Sequence, residues 1–198
     1  MTRSPDKPRR RLLSAVAGIS LESALPATTF GQGTSGQEKS FLVAYFSRSG
    51  NTRVVAGLIH RAFDSDLFEI LPAIPYPDEY LATVEQARQE RDQGIERALK
   101  SKVPNITRYT TIFLGLPVWG ETAPSIIRSF LSAHDLSGKT LIPFLTHGGY
   151  GLGSSEAVIA RHAPRARLRQ AFSMQADQER QTMESVNAWM AKQSPALK

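Results

Sequence analysis

The residues best suited to chemistry form one short stretch, Ser47-Arg48-Ser49-Gly50-Asn51-Thr52. It follows an apolar run over residues 41–46 and precedes an amphipathic one over residues 54–63. Strand, hydroxyl-and-glycine turn, helix is the order of a phosphate cradle. The first N–H groups of a helix have no intrahelical partner and carry partial positive charge, so an anion can complete them. Ser47, Ser49 and Thr52 add hydroxyl donors, and Gly50 lets the backbone approach the anion without a Cβ in the way. The stretch lacks the Gly-Lys-Ser/Thr ending of the nucleoside-triphosphate loop and the three glycines of the dinucleotide fingerprint. A hydroxyl-rich cradle without lysine suits a monophosphate that needs no metal. The plainer alternative is an ordinary N-capped helix after a turn rich in Ser and Asn.

Two further loops describe the rest of a ligand. In Pro117-Val118-Trp119-Gly120, the indole of Trp119 can cover one face of an aromatic ring system. Gly120 allows the peptide after it to take two orientations. The loop that opens His147-Gly148-Gly149-Tyr150 has four glycines among residues 148–154 and offers a second aromatic surface in Tyr150. A phosphate at one end and a planar ring between the last two loops fit flavin mononucleotide (FMN). Alternatively, Trp119 is a core residue at a strand end and the glycines make only a flexible turn.

The elements that must position these loops alternate. Continuously apolar runs predict strands over 41–46, 67–71, 111–116, 140–146 and, more weakly, 168–174. Helical spacing of Val54, Val55, Leu58, Ile59 and Phe63 marks the first helix. A polar helix is expected from about Asp78, or a neighbouring cap, to Lys100, with a break at Gly94. Pro72, Pro75 and Pro77 exclude regular structure just before it. Helices follow over 123–133, with Ile126, Ile127, Phe130 and Leu131 inward, and over 155–162. A closing helix over 177–192 turns Met183, Val186, Trp189 and Met190 inward. Pro143 is awkward in a central strand. This alternation predicts an α/β fold, with a five-stranded parallel sheet between two helical layers; right-handed crossovers leave few strand orders, of which 2-1-3-4-5 is one. All three loops then fall at the carboxyl ends of neighbouring strands, where such sheets bind ligands.

Composition narrows the chemistry. The chain has 198 residues, enough for one sizeable core, and no cysteine. Thiolate metal sites, iron–sulfur clusters, disulfides and cysteine nucleophiles are thereby excluded. The four histidines, His60, His134, His147 and His162, show no metal-ligand spacing, and no metal site is expected. No run approaches the roughly 20 apolar residues of a membrane span. Residues 1–40 differ from the rest. Arg9, Arg10 and Arg11 precede Leu12 and Leu13, a weakly apolar run and a small-residue stretch, which together predict an export signal over 1–27. The paired arginines resemble a twin-arginine signal. A flexible linker over 28–40, a folded domain over 41–192 and a tail over 193–198 complete the expected organisation. The alternative for the leader is a basic tail on a cytoplasmic protein. The whole chain carries a net charge of +6, and without residues 1–27 it keeps 19 basic and 16 acidic residues, a net +3. The basic residues form no coherent face with aromatic platforms, so nucleic acid is not an expected partner.

Taken together, residues 40–191 resemble the flavodoxin family, and within it a group with a Ser-x-Ser-Gly-Asn-Thr-Arg phosphate loop. Residues 47–53 match that loop, residues 115–120 its second loop, and residues 130–149 its helix–strand–loop segment. The resemblance implies a flavodoxin-like three-layer sandwich with FMN as cofactor. By it, Ser47, Ser49, Gly50, Asn51 and Thr52 hold the phosphate. Pro117, Val118, Trp119 and Gly120 line one side of the ring, and His147, Gly148, Gly149 and Tyr150 the other side or edge. Arg48 replaces the aromatic residue often found between the two serines, and is expected over the ring or in water.

The resemblance implies an electron carrier serving a redox partner protein or a small-molecule acceptor, with no catalytic side chain of its own. The mild positive charge favours acidic partners. Twin-arginine export moves folded proteins, so a flavin bound in the cytoplasm could travel to the periplasm inside its protein. Two alternatives stand beside this reading: an FMN-dependent NAD(P)H quinone or nitro reductase, and a flavodoxin-like binding module without flavin. A serine hydrolase is disfavoured, because no Gly-x-Ser-x-Gly elbow follows a strand.

Overall fold

The computed structural model of the chain describes residues 40–176 and 179–193. The leader expected over 1–27 and all of the linker except Ser40 lie outside the described residues. Of the expected tail over 193–198, only Gln193 is described, and it ends the last helix.

The order is β1 (Phe41–Tyr45), α1 (Asn51–Phe63), β2 (Asp66–Glu69), α2 (Tyr80–Asp92), a 3-10 turn (Ile106–Arg108), β3 (Thr111–Pro117), α3 (Ser125–Ala133), β4 (Thr140–His147), α4 (Ser155–His162), β5 (Arg167–Leu168), β6 (Phe172–Gln175) and α5 (Glu179–Gln193). All strand pairs are parallel, in the order β2-β1-β3-β4, with β5 and β6 both on the outer edge of β4. The expected 2-1-3-4-5 sheet is therefore present, with its fifth strand in two pieces.

Pro143 accounts for the break. In a parallel ladder alternate residues turn their backbone groups to opposite neighbours. The carbonyls of Leu141 and His147 accept from Arg169 and Ala176 on the edge, whereas that of Thr146 accepts from Val118 at the end of β3. Pro143 shares the orientation of Leu141, so its missing N–H faces the edge strand. The edge strand leaves the ladder there, between Leu168 and Phe172.

The sheet is apolar on both faces, as a parallel sheet covered on both sides must be. One face packs Leu42, Ile112, Leu114 and Leu116 beneath Ile126, Ile127, Phe130 and Leu131 of α3. The other packs Val43, Phe113, Ile142 and Phe144 beneath Val55, Leu58 and Ile59 of α1 and Val186 and Met190 of α5. Full burial of side chains such as Phe113, Phe130 and Phe144 contributes roughly 1.5–3 kcal/mol each. Val54 does not join this core: it is 57% exposed, and Thr52 and Ala56 take the buried positions instead. The side chain of Met183, expected inward, lies outside the described ones. Helix α2 is shorter than expected and stops before Gly94. Its cap is Glu79, whose carboxylate accepts from the backbone N–H groups of Leu81 and Ala82.

Candidate functional site

The three sequence-marked loops meet at the carboxyl edge of β1, β3 and β4. The first turns tightly into α1. Gly50 sits at φ 98°, and its N–H donates to Ser47 Oγ at 3.1 Å. Helix α1 begins with no side-chain cap and no acidic residue in its first turn. Its positive end thus has no carboxylate of its own, in contrast to α2 with Glu79. Ser47 and Thr52 are buried, and Arg48 and Ser49 are exposed. The Thr52 and Thr146 hydroxyls lie 2.8 Å apart, which ties the start of α1 to the end of β4. Arg48 is solvent-exposed and also hydrogen-bonded. Its guanidinium donates to the Asp78 carbonyl at 2.7 Å and to the Pro77 carbonyl at 3.4 Å, pinning the first loop to the proline-rich connection.

The second loop is a two-residue turn. Trp119 and Thr122 exchange backbone hydrogen bonds of 3.0 and 3.2 Å across Gly120 and Glu121, both at positive φ (54° and 61°). That pair of angles describes a type I′ turn, which a side chain at Glu121 occupies under strain. The indole of Trp119 is half-buried. It stands edge-on to Phe46 and Tyr76, with ring centroids 5.3 and 4.9 Å away.

The third loop leans on the second. Ser154 donates its N–H to the Glu121 carbonyl at 2.8 Å, and its hydroxyl reaches Thr122 Oγ1 at 2.9 Å. Gly153 makes this approach possible, since a Cβ there would lie 2.0 Å from the Glu121 oxygen. His147 organises the turn: its Nδ1 accepts from the N–H groups of Gly149 (3.1 Å) and Gly151 (3.3 Å). Those bonds put the proton of the neutral ring on Nε2. Tyr150 projects outward, 81% exposed.

A cleft of about 310 Å³ opens between these loops and α2. Arg48, Val118, Trp119, Gly120, Gly148 and Tyr150 line one side of it. Six of the residues marked in the sequence therefore share one space. Ser47 lies with Arg48 on a neighbouring depression beside Phe46 and Tyr76. Ser49 and Gly50 form the turn into α1, Asn51 and Thr52 are its first residues, and Pro117, His147 and Gly149, at the ends of β3 and β4, do not line the cleft.

None of the three loop motifs marks the opposite wall. It is helix α2, through Tyr80, Thr83, Val84, Ala87, Arg88 and Arg91. The signal was present in the spacing of Tyr80, Val84, Ala87 and Arg91, which lie on one helical stripe. Nor did the sequence mark Glu90, a carboxylate only 5% exposed. It accepts from Ser125 and Arg97, from Tyr76 at 3.0 Å and from Gln86 at 3.0 Å. Burial pushes its carboxyl up, but these donors outweigh burial and hold it below the ordinary carboxylate range. The same network fixes Tyr76, and through it the edge of Trp119. The Arg97 guanidinium also lies over the Tyr76 ring, 4.2 Å from its centroid.

Among the described residues, no group of three His, Cys, Asp or Glu side chains could hold a metal ion. No described helix is long and apolar enough to cross a membrane.

The comparisons with known proteins agree with this architecture. A candidate flavoprotein from Bacteroides uniformis is 30% identical, with 78% of this chain and 99% of that one covered and a TM-score of 0.69. A second, from Bacteroides eggerthii, is 33% identical over 77% and 96% of the two chains, with a TM-score of 0.67. A flavoprotein from Lactobacillus acidophilus, solved in complex with FMN, is 20% identical over 68% and 93%, with a TM-score of 0.62, a likeness of fold. No curated protein matches the chain. The family model described as Flavodoxin matches residues 40–193, the whole span of the described structure. The chain belongs to the flavodoxin family.

Proposed function

We propose that this protein binds FMN and carries electrons, and that it does so after export. Family membership supports FMN as the cofactor. The observation that carries the reading is the meeting of three loops at one sheet edge, held together by the Thr52–Thr146 and Ser154–Glu121 bonds. In this reading Ser47, Ser49, Gly50, Asn51 and Thr52 hold the phosphate at the uncapped end of α1. Pro117, Val118, Trp119 and Gly120 present one side to the flavin ring, and His147, Gly148, Gly149 and Tyr150 the other. Arg48 serves by positioning, since its clip to Pro77 and Asp78 sets the shape of the first loop. Bound FMN supplies reversible electron transfer, and the protein supplies orientation and electrostatics.

The hydroxyls and amides of the first loop can satisfy a phosphate dianion without a metal. The net charge of +3 beyond residue 27 steers the protein toward acidic partners. Titrating the purified protein into FMN tests the cofactor: quenching of flavin fluorescence at a 1:1 ratio is expected, and unchanged fluorescence refutes it. Cell fractionation with N-terminal sequencing tests export. A mature form beginning near residue 28 in the periplasm is expected, and an intact cytoplasmic chain refutes it. Steady oxidation of NADH or NADPH with a quinone would instead identify the protein as a reductase.

A further inference from the structure

The flavin reading gives Trp119 a role and leaves Tyr76, the phenol behind it, with none beyond packing. Among the described residues, two rings stand edge-on to the Trp119 indole: Phe46, with centroids 5.3 Å apart, and Tyr76, with centroids 4.9 Å apart. Phe46 resists one-electron oxidation. A tyrosine gives up an electron readily only where its phenolic proton can leave with it. Tyr76 meets that condition, since its hydroxyl donates to Glu90 Oε2 at 3.0 Å, within reach of direct proton transfer. Both side chains are buried, Tyr76 at 9% and Glu90 at 5% exposure, so bulk water does not compete for that proton. Burial pushes the phenol well above its ordinary range, and it stays protonated in the resting protein. The Arg97 guanidinium lies 4.2 Å from the centre of the Tyr76 ring and opposes any positive charge there. Loss of an electron alone is thereby disfavoured, whereas loss of an electron together with the proton is not.

We propose that Trp119, Tyr76 and Glu90 form a relay that draws an oxidising equivalent off the indole and holds it inside the protein. A one-electron oxidant in the cleft, photoexcited flavin being the class the site would hold, removes an electron from Trp119. The resulting indole radical cation takes an electron from Tyr76, and the phenolic proton moves along its hydrogen bond to Glu90 Oε2. Trp119 is restored, Tyr76 becomes a neutral phenoxyl radical and Glu90 a neutral carboxylic acid. The positive charge of the indole and the negative charge of Glu90 vanish together, so the step creates no new buried charge. Arg97 keeps the Ile74 and Pro75 carbonyls as acceptors. A one-electron reductant of the ascorbate class returns the electron through Trp119, and Glu90 returns the proton. The relay thus protects Trp119, and the ligand it flanks, from irreversible oxidation. Only the identity of the oxidant rests on the flavin reading; the relay itself uses this chain's own residues.

Pulse radiolysis of the purified full chain tests the relay without flavin, because it supplies the azide radical, which oxidises indoles. The chain has two tryptophans, so every protein tested carries Trp189→Phe and keeps Trp119 as its one indole. The indole-radical absorption is expected to decay as phenoxyl absorption appears, and to do so more slowly in heavy water. Tyr76→Phe retains the ring packing and is expected to abolish the conversion, leaving the indole radical to persist. Tyr80→Phe with Tyr150→Phe removes the two exposed phenols that line the cleft with Trp119 and is expected to leave the conversion intact. Glu90→Gln is expected to slow it by about a hundredfold, the lower end of what a lost proton-transfer partner costs. If that variant does not fold, the heavy-water rate decides the role of the proton. Conversion that is absent with Tyr76 present, that survives Tyr76→Phe, or that disappears with Tyr80 and Tyr150 overturns the proposal. An unchanged rate in heavy water removes Glu90 from it. Flavin uptake is measured separately by fluorescence quenching, and its failure with an intact conversion would sink the cofactor reading and leave the relay standing.

Discussion

The hydroxyls of Thr52 and Thr146 meet at 2.8 Å in the protein interior, joining the first residues of α1 to the last residues of β4. These residues are 94 positions apart in the chain. They flank β3 from opposite sides, so one bond fixes the first and third loops relative to each other. Thr52→Val removes the bond and leaves the Thr146 hydroxyl buried beside a methyl group. A loss of about 1–3 kcal/mol is expected from urea unfolding. Thr52→Ser, which keeps the hydroxyl, should recover most of it. Equal loss in both variants would mean that the methyl packing matters more than the bond.

Gly153 sets the distance between the second and third loops. In Gly153→Ala the new Cβ would lie 2.0 Å from the Glu121 carbonyl oxygen and 2.5 Å from its carbon. Backbone atoms cannot swing aside as a flexible side chain can, so the loops must part. A destabilisation of about 1–3 kcal/mol is expected. Hydrogen exchange at the Ser154 amide should rise with it, because its bond to Glu121 is the contact that opens. Unchanged exchange at Ser154 would show that the strain is relieved elsewhere.

Glu90 anchors the floor beneath Trp119. Replacing it by Gln keeps the shape, removes the charge and leaves Arg97, whose side chain is 12% exposed, with the Ile74 and Pro75 carbonyls but no carboxylate partner. Breaking a buried pair in this way costs about 3–5 kcal/mol. The pH dependence has a definite sign. The folded carboxyl titrates below its ordinary value of 4.5, so its contribution is complete above that pH and is lost as pH falls through the folded value. Glu90→Gln should therefore unfold at lower urea at neutral pH and show less acid sensitivity below pH 4.5. Parallel stability curves for the two proteins would contradict this.

His134 acts in a separate pH window. It is buried, its Nε2 accepts from the Val103 N–H at 3.0 Å and its Nδ1 donates to the Phe130 carbonyl at 2.7 Å. Burial lowers its affinity for protons below the ordinary value of 6.5, against a weaker raising effect of the Phe130 carbonyl. The unfolded chain then binds a proton that the folded one refuses. Stability contributed by the neutral ring is complete above about pH 6.5 and falls as pH drops toward the folded value, by at most about 1.4 kcal/mol per pH unit. His134→Gln retains a donor and an acceptor without titrating. Its stability should change less than that of the parent between pH 7.5 and 5.5, as measured by thermal unfolding.

The family resemblance supplied the sheet order; the amino-acid sequence itself made legible the alternation of elements and the three loops that follow its strands. These follow from local signals: apolar runs for strands, helical spacing for α1 and α3, and glycine with hydroxyl residues at the turns. Local signals also placed Ile126, Ile127, Phe130 and Leu131 in the core. Tertiary structure decided what depends on neighbours distant in the chain. Arg48 became a clip because the carbonyls of Pro77 and Asp78 arrive beside it. The fifth strand split because Pro143 faces it from another element. Glu90 is a buried anchor only because Ser125, Arg97 and Tyr76 converge on it from three different segments. Helix α2 became the wall of a cleft although its own residues read as a solvated polar helix. Hydrophobic patterning records which side of an element is buried, whereas hydrogen-bond partners and cleft walls are set by how elements pack, which no window of adjacent residues contains.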